Sequence, residues 1–169
     1  MNFLLKSNKA FTLVELLMAV GIIAIMTGIA IPNYLTKIRE QELKNGAQQV
    51  LTDIRRTSVK SQTSIEGTGW FVKTTTSTGN YSIYKCSDPS TSIFTDTLKP
   101  DTLKFIASTN LFFEKNTGVL LTSQCVSGNL NAPVSITIKH TTISKCTVIN
   151  VSSSGTISYD ETNAIVPCT

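Results

Sequence analysis

The chain has 169 residues, of which 41% are hydrophobic and 15% are charged, and its formal net charge at pH 7 is +4. This length predicts one globular domain with an appendage. From residue 66 onward seven lysines are balanced by seven acidic residues and no arginine occurs. The bulk charge of that part therefore argues against a strongly basic surface of the kind that binds polyanions.

A long apolar segment begins close to the N-terminus. The 21 residues from Leu16 to Thr36 carry no charge and are mostly Leu, Ile, Ala, Val and Met. About 20 apolar residues match the hydrocarbon thickness of a bilayer, so this run predicts a membrane-spanning helix. A carboxylate, Glu15, stands at its head. An ionised acid at that depth calls for a cationic partner, because placing it in lipid costs about 2.5–3.5 kcal/mol.

Proteolysis can supply that cation. Cleavage after Ala10 would give Phe11 a free α-amino group four residues before Glu15. Within one helix both groups lie along the same end, so the Glu15 of a staggered neighbouring copy is the better partner. Two other interpretations explain less. Thr12 and Glu15 fit a capping box, but a cap does not require the apolar run that follows. A secretory signal peptide has an apolar core of about 7–15 residues and no acid at its start.

Residues 10–17, Ala-Phe-Thr-Leu-Val-Glu-Leu-Leu, followed by Gly21 and Pro32, resemble the class III leader and N-terminal helix of type IV pilins and type II secretion pseudopilins. The resemblance implies that a prepilin peptidase/methyltransferase cuts between Ala10 and Phe11 and N-methylates Phe11. It also implies that Glu15 pairs with a neighbour's amino terminus. The chain departs from the family at Ala10, where the leader usually ends in Gly.

Pro32 is the other assembly residue that the resemblance singles out. It lacks an amide donor and clashes with the preceding turn, so we expect a kink in the helix there. The resemblance adds that this part of the helix partly unwinds when subunits pack into a filament. A kinked anchor without an assembly role is the alternative that the sequence leaves open.

Beyond Thr36 the pattern becomes amphipathic. Apolar residues recur at helical spacing at Leu43, Ala47, Val50, Leu51 and Ile54. Polar residues occupy the other faces at Arg39, Lys44, Asp53 and Arg56. We therefore expect one helix from Phe11 to about Gln62, with a second half that packs on a sheet. The adjacent pair Arg55-Arg56 indicates a solvated helix face rather than a site for DNA or lipid head groups.

The remainder is rich in Ser and Thr, which make up 33 of the 104 residues from 66 to 169. Short apolar runs separated by turn residues predict antiparallel strands. We place these strands at Trp70–Thr75, Tyr81–Cys86, Thr102–Ala107, Leu111–Glu114, Ser135–His140, Lys145–Val151 and Thr156–Tyr159. The predicted fold class is α+β, a pilin fold in which the long N-terminal helix packs on an antiparallel β-sheet or small β-sandwich.

Four cysteines, Cys86, Cys125, Cys146 and Cys168, follow the apolar run. An even count in an exported domain favours two disulfides, for which three connectivities exist. We favour Cys86–Cys125 and Cys146–Cys168, and the spacing leaves the other two pairings open. Zinc is the alternative, but the separations of 39, 21 and 22 residues contain no close pair of the kind that metal sites use. We predict no metal and no cofactor.

Catalysis is not expected. His140 is the only histidine, and its place beside Lys139 in a predicted strand indicates a surface or structural role. A second resemblance concerns the C-terminal half. The segments 112–118, 134–138 and 146–157 are similar to the globular core of H-type pseudopilins and FimT-like minor pilins. This similarity favours a minor subunit over a major one.

The sequence thus predicts four segments: a cleaved leader (1–10), a transmembrane and filament-core helix (11–36), an amphipathic helix (37–65) and an exported β-rich domain (66–169). The resemblance implies a structural minor pilin or pseudopilin that is anchored once in the bacterial inner membrane, with its C-terminal domain in the periplasm. Its partners would be the peptidase, the lipid bilayer, other subunits and the inner-membrane assembly platform.

The alternative function is a filament-tip receptor that binds extracellular DNA for natural transformation. Some FimT-like proteins bind DNA through an Arg-containing C-terminal motif, whereas this chain has no arginine after Arg56. Binding would then rely on clustered lysines. The candidates are Lys73, Lys85, Lys99, Lys104, Lys139 and Lys145. DNA is therefore a partner that the sequence does not favour.

Overall fold

The computed structural model describes residues 11–63, 67–121, 125, 133–159 and 166–168. The chain divides into two compact units, Met1–Lys37 and Ile38–Thr169. One helix, α1, runs from Leu13 to Thr63, and ten strands follow it. The strands are β1 (Trp70–Thr74), β2 (Asn80–Lys85), β3 (Asp88–Thr97), β4 (Leu103–Phe105), β5 (Asn110–Phe113), β6 (Leu120–Leu121), β7 (Val134–His140), β8 (Lys145–Val151), β9 (Ile157–Tyr159) and β10 (Val166–Pro167).

The strands form two antiparallel sheets. Sheet 1 has the order β3-β2-β1-β5-β6, and sheet 2 has the order β10-β8-β7-β4, with β9 also paired to β8. Short connections join the consecutive neighbours, such as β1 and β2 or β7 and β8, which antiparallel pairing allows. The neighbours β1 and β5, β4 and β7, and β8 and β10 are not consecutive along the chain. The predicted α+β class, with a long N-terminal helix and antiparallel sheets, is confirmed.

The second half of α1 supplies one wall of the core in the unit Ile38–Thr169. Its apolar stripe is buried as the spacing predicts, at Leu43, Ala47, Val50, Leu51 and Ile54. These side chains join one hydrophobic cluster with residues from both sheets, including Trp70, Phe113, Ile138 and Ile149. Burial at about 25 cal/mol per Å² of apolar surface makes this cluster the main source of stability for the unit.

One helix residue does not lie on the face that its charge predicts. Asp53 is expected among the polar residues outside the apolar stripe, but it is buried. Its spacing explains this position, because Asp53 lies three residues after Val50 and four before Thr57, both of which are buried. The exposed pair Arg55 and Arg56 does lie on the solvated face, as predicted.

Seven predicted strands are present with bounds shifted by up to two residues, and β3, β6 and β10 were not predicted. β6 and β10 have two residues each and are too short to carry a pattern. β3 is the longest strand, with ten residues, and lies at an edge of sheet 1. Eight of its residues are exposed, so it lacks the alternation of apolar and polar residues that is typical of a half-buried strand.

Two disulfides brace the strand-rich part. Cys86 is bonded to Cys125 and Cys146 to Cys168. The first follows the end of β2, and the second joins β8 to the segment just after β10. By closing loops of 39 and 22 residues, they restrict the unfolded chain.

Candidate functional site

The first candidate is the N-terminal end of α1. Thr12 caps the helix, because its Oγ1 accepts a hydrogen bond of 3.2 Å from the backbone N–H of Glu15. Its carbonyl oxygen accepts the N–H of Leu16, also at 3.2 Å. This is the backbone half of the capping box that the sequence suggests. The cap satisfies the amide of Glu15 and leaves its carboxylate uncommitted.

The carboxylate of Glu15 makes no ion pair or side-chain hydrogen bond with any residue that the structure describes. It lies in the first turn of α1, where the helix dipole favours an acid by about 0.3–1 kcal/mol. That contribution is smaller than the cost of placing the ionised group at bilayer depth. An external cation is therefore needed wherever this end of the helix is surrounded by lipid or by other apolar helices.

The helix that follows is apolar on every side. Between Phe11 and Leu35, fifteen large hydrophobic side chains are exposed. Among the described residues, α1 is the one helix long and apolar enough to cross a membrane, judged by length and composition. Two of its threonine hydroxyls are satisfied within the helix, since Thr27 Oγ1 donates to the carbonyl of Ile23 at 2.7 Å and Thr36 Oγ1 to that of Pro32 at 3.1 Å. Such a surface requires lipid or partner helices around it.

The remaining predicted site residues lie in different places. Phe11 precedes α1 and its side chain is 78% exposed, whereas Ala10 lies outside the described residues. Pro32 lies inside α1, which continues on both sides of it. The four cysteines are all in the unit Ile38–Thr169, far along the chain from Glu15. No described residues bring the cysteines and the assembly residues into one site.

His140 is the second candidate, because it is the only histidine. It lies on β7 with 1% of its surface exposed. Its Nδ1 accepts a 3.2 Å hydrogen bond from the Thr142 N–H, which leaves the proton on Nε2. Nε2 lies 3.2 Å from Glu42 Oε2 and 3.4 Å from Thr102 Oγ1.

This geometry is unsuitable for nucleophilic catalysis. In a catalytic triad the acid and the nucleophile contact opposite nitrogens of the imidazole. Here Glu42 and the hydroxyl of Thr102 both contact Nε2, while a backbone amide occupies Nδ1. The contacts instead join α1, β7 and the segment before β4. His140 is thus a structural residue of the unit.

A second polar cluster, which the sequence pattern does not indicate, joins Gln49 and Asp53 of α1 to residues of β2 and β3. The Tyr81 hydroxyl donates to Asp53 Oδ2 at 2.6 Å, and Gln49 Nε2 donates to Asp96 Oδ2 at 2.8 Å. Gln49 Nε2 is also 3.3 Å from the Tyr81 oxygen. Burial, reinforced by the hydrogen bond and negative charge of Asp53, raises the pKa of Tyr81 far above its ordinary value. The phenol stays protonated and ties α1 to β2 and β3.

A metal site is not apparent in the described part of the chain, where no three His, Cys, Asp or Glu residues lie close enough to share an ion. The carboxylates of Asp53 and Asp96 are already hydrogen-bonded, to Tyr81 and to Gln49. The polar contacts around His140 and Tyr81 are therefore structural networks. At the N-terminal end of α1, by contrast, the Glu15 carboxylate has no ion pair among the described residues, and the apolar side chains behind it are exposed.

Comparison with known proteins identifies the same N-terminal region. Residues 5–31 match the family model for the prokaryotic N-terminal methylation motif. No curated protein matches the chain by sequence. The fold is similar to the crystal structure of the type IV minor pilin FimU of Pseudomonas aeruginosa, with a TM-score of 0.55 and 14% identity. That match covers 77% of this chain and 97% of FimU.

A second solved structure with a similar fold is the minor pseudopilin EpsH from the type 2 secretion system of Vibrio cholerae. Its TM-score is 0.51 at 14% identity, and the match covers 72% of this chain and 98% of EpsH. The resemblance to type IV pilins and pseudopilins inferred from residues 10–17 is confirmed by this motif and this fold. The predicted pilin fold is confirmed with it.

Proposed function

We propose that this chain, which carries the prokaryotic N-terminal methylation motif on the fold of type IV minor pilins and pseudopilins, is a structural filament subunit. Its matches belong to proteins that are named for a pilus and for a secretion system, and the chain shares its fold with both. The function is assembly through α1, not catalysis. The filament is a type IV pilus or a type II secretion filament.

The observation that carries this proposal is the combination of an uncommitted acid and an unburied apolar helix. In the unit Met1–Lys37, every large apolar side chain of the described residues 11–37 is exposed. A soluble domain gains nothing from such a surface, whereas a membrane anchor or a bundle of packed helices buries it. Glu15 at its head then specifies where a neighbour's cation must lie.

The processing steps follow from that requirement. In our proposal the peptidase cuts between Ala10 and Phe11, and the α-amino group of Phe11 is methylated and stays cationic. That amine pairs with Glu15 of an adjacent subunit, which replaces an isolated buried charge by an ion pair. Before assembly the helix spans the inner membrane, with the strand-rich unit on the periplasmic side. Assembly moves the helix from lipid into the filament, where Pro32 permits a local change in helix geometry.

The experiment compares Glu15→Gln with the wild-type chain in its native cell. Gln keeps the shape of Glu and the capped backbone amide but removes the charge. We expect membrane levels to stay normal while the amount in sheared filaments, measured by immunoblot, falls at least tenfold. The control Asp101→Asn removes an exposed acid elsewhere and should assemble normally. Wild-type incorporation of Glu15→Gln would contradict the proposed ion pair.

A second measurement tests processing by itself. Mass spectrometry of the mature wild-type chain should give an N-terminus at Phe11 carrying one methyl group. A mature molecule that retains residues 1–10 would contradict the proposed subunit, because Phe11 would then have no free amine. Since this measurement does not depend on the filament yield, it separates a failure of processing from a failure of assembly.

A further inference from the structure

The outward face of sheet 2 holds two lysines directly opposite each other. Lys104 of β4 and Lys139 of β7 are register partners in an antiparallel pair. Alternation along β7 and β8 sends Ile138, His140 and Lys145 toward the helix side, so Lys139 faces away from it. Opposite residues on one face have Cβ atoms about 4.5–5.5 Å apart, so the two ammonium groups share one small region.

Neither lysine is neutralised within the described part of the chain. Lys145 on the neighbouring strand forms an ion pair with Glu40 of α1, whereas Lys104 and Lys139 form none. The other outward residues of β7 and β8 are uncharged. Like charges directly opposite on a sheet are destabilising. This pair therefore leaves an unbalanced charge of two on the part of the face that β4, β7 and β8 form.

The same lysines line a cavity of about 550 Å³. Ser77 and Thr141 add two hydroxyl groups to its wall, and Ile106 and Cys168 close other sides. A disulfide to Cys146 of β8 holds Cys168 there, and Cys146 is the register partner of Lys139 in the β7–β8 pair. Small-molecule sites occupy about 300–1,000 Å³, so this volume is sufficient for a compact ligand.

We propose that this cavity is an anion site for a phosphate monoester or free phosphate. A phosphate carries a charge of about −1.5 to −2 at pH 7 with three or more acceptor oxygens, which matches two ammonium groups and two hydroxyl donors. A carboxylate has one charge and would leave one lysine unbalanced. The phosphodiesters of a nucleic acid also carry one charge each, so the monoester is the better match. The site is independent of the assembly function proposed for α1.

The test uses the full chain in a non-ionic detergent, with inorganic phosphate as the probe. Binding is followed by the rise in thermal unfolding midpoint with phosphate concentration, against sodium chloride at equal ionic strength. Lys104→Gln and Lys139→Gln should each weaken phosphate binding about tenfold, as expected for the loss of one charge-assisted hydrogen bond. The matched control is Lys73→Gln, an exposed lysine opposite Asn110 and Ser82 on sheet 1, which should bind phosphate as the wild type does.

Stability without phosphate checks that the variants are folded. Because each substitution relieves repulsion between like charges, Lys104→Gln and Lys139→Gln should unfold at or above the wild-type midpoint in its absence. The same phosphate response in all four proteins would overturn the site, and so would an equal effect of sodium chloride. A parallel arm uses a single-stranded oligonucleotide without terminal phosphates. Lysine-dependent binding of that oligonucleotide with no response to phosphate would also refute the monoester assignment.

Discussion

Two buried threonines in the strand-rich unit provide a quantitative test of how hydrogen bonding of a buried hydroxyl affects stability. Thr147 of β8 and Thr74 of β1 are both 0% exposed. The Oγ1 atom of Thr147 has no hydrogen-bond partner among the described residues. Thr74 Oγ1 accepts the Thr109 N–H at 2.8 Å and lies 3.3 Å from the carbonyls of Ala107 and Thr109.

Valine has nearly the shape of threonine and the same branching, so replacement isolates the hydroxyl. A buried hydroxyl without a partner costs about 1–3 kcal/mol in protein mutational data. We therefore expect Thr147→Val to raise the free energy of unfolding by about 1 kcal/mol or more. Thr74→Val removes a hydrogen-bonded hydroxyl and leaves the Thr109 N–H without its acceptor, so it should lower that free energy by about 1–3 kcal/mol.

The assay is urea unfolding of the full chain in non-ionic detergent. Trp70 is the only tryptophan and is buried in the hydrophobic cluster, so its fluorescence reports directly on that core. The two midpoints should move in opposite directions with unchanged slopes. Equal destabilisation by both substitutions would refute the reasoning, since it would mean that Thr147 Oγ1 is satisfied in solution.

Three further changes test the same unit. Burial raises the pKa of Tyr81 above its ordinary value, so the protonated phenol contributes fully to the free energy of unfolding below about pH 10, and this contribution is lost as the pH rises further. In Tyr81→Phe, the free energy of unfolding should therefore fall less steeply between about pH 9 and 12 than in the wild type. Replacing both cysteines of a disulfide by serine should lower the free energy of unfolding by about 4 kcal/mol for Cys86–Cys125 and by about 3 kcal/mol for Cys146–Cys168. The first value is larger because that disulfide closes the longer loop, and urea unfolding under oxidising conditions measures both. Gly155→Ala should lower the free energy of unfolding by about 2 kcal/mol or more, because φ at this position is +79° and the new Cβ would lie 2.3 Å from the Gly118 carbonyl oxygen. The measurement is the thermal unfolding midpoint, and an unchanged midpoint would show that this turn relaxes without cost.

The sequence predicts α1 well because its two halves carry strong and different patterns. A continuous apolar run and an amphipathic stripe each extend over several turns, so errors at single positions average out. The bounds Leu13–Thr63 differ from the expected Phe11–Gln62 by two residues or fewer. The motif adds Glu15 and Phe11, to which we assign a role in assembly and which have no side-chain partner among the described residues.

Features that depend on tertiary packing were less accessible. The charge of Asp53 suggests a solvated face. However, the hydroxyl of Tyr81, 28 residues later, donates a hydrogen bond to the Asp53 carboxylate, which offsets the cost of burying that carboxylate. Nothing in the sequence near either residue indicates that they meet. The strand β3 was missed for a related reason. It contains Pro89 and two aspartates, and it is stabilised by pairing with β2 instead of by a buried face.

The distribution of unsatisfied groups between the two units decides how assembly variants must be interpreted. Every residue of the hydrophobic cluster lies at or after Leu43, whereas Glu15 and the exposed apolar side chains around it contribute nothing to that cluster. Energetic effects of sites that share no partners usually add independently. A substitution at Glu15 should therefore leave the Trp70 unfolding curve unchanged while it lowers filament incorporation at least tenfold. If the same substitution also lowered the stability of the strand-rich unit, its assembly defect would have to be attributed to misfolding and not to a missing ion pair.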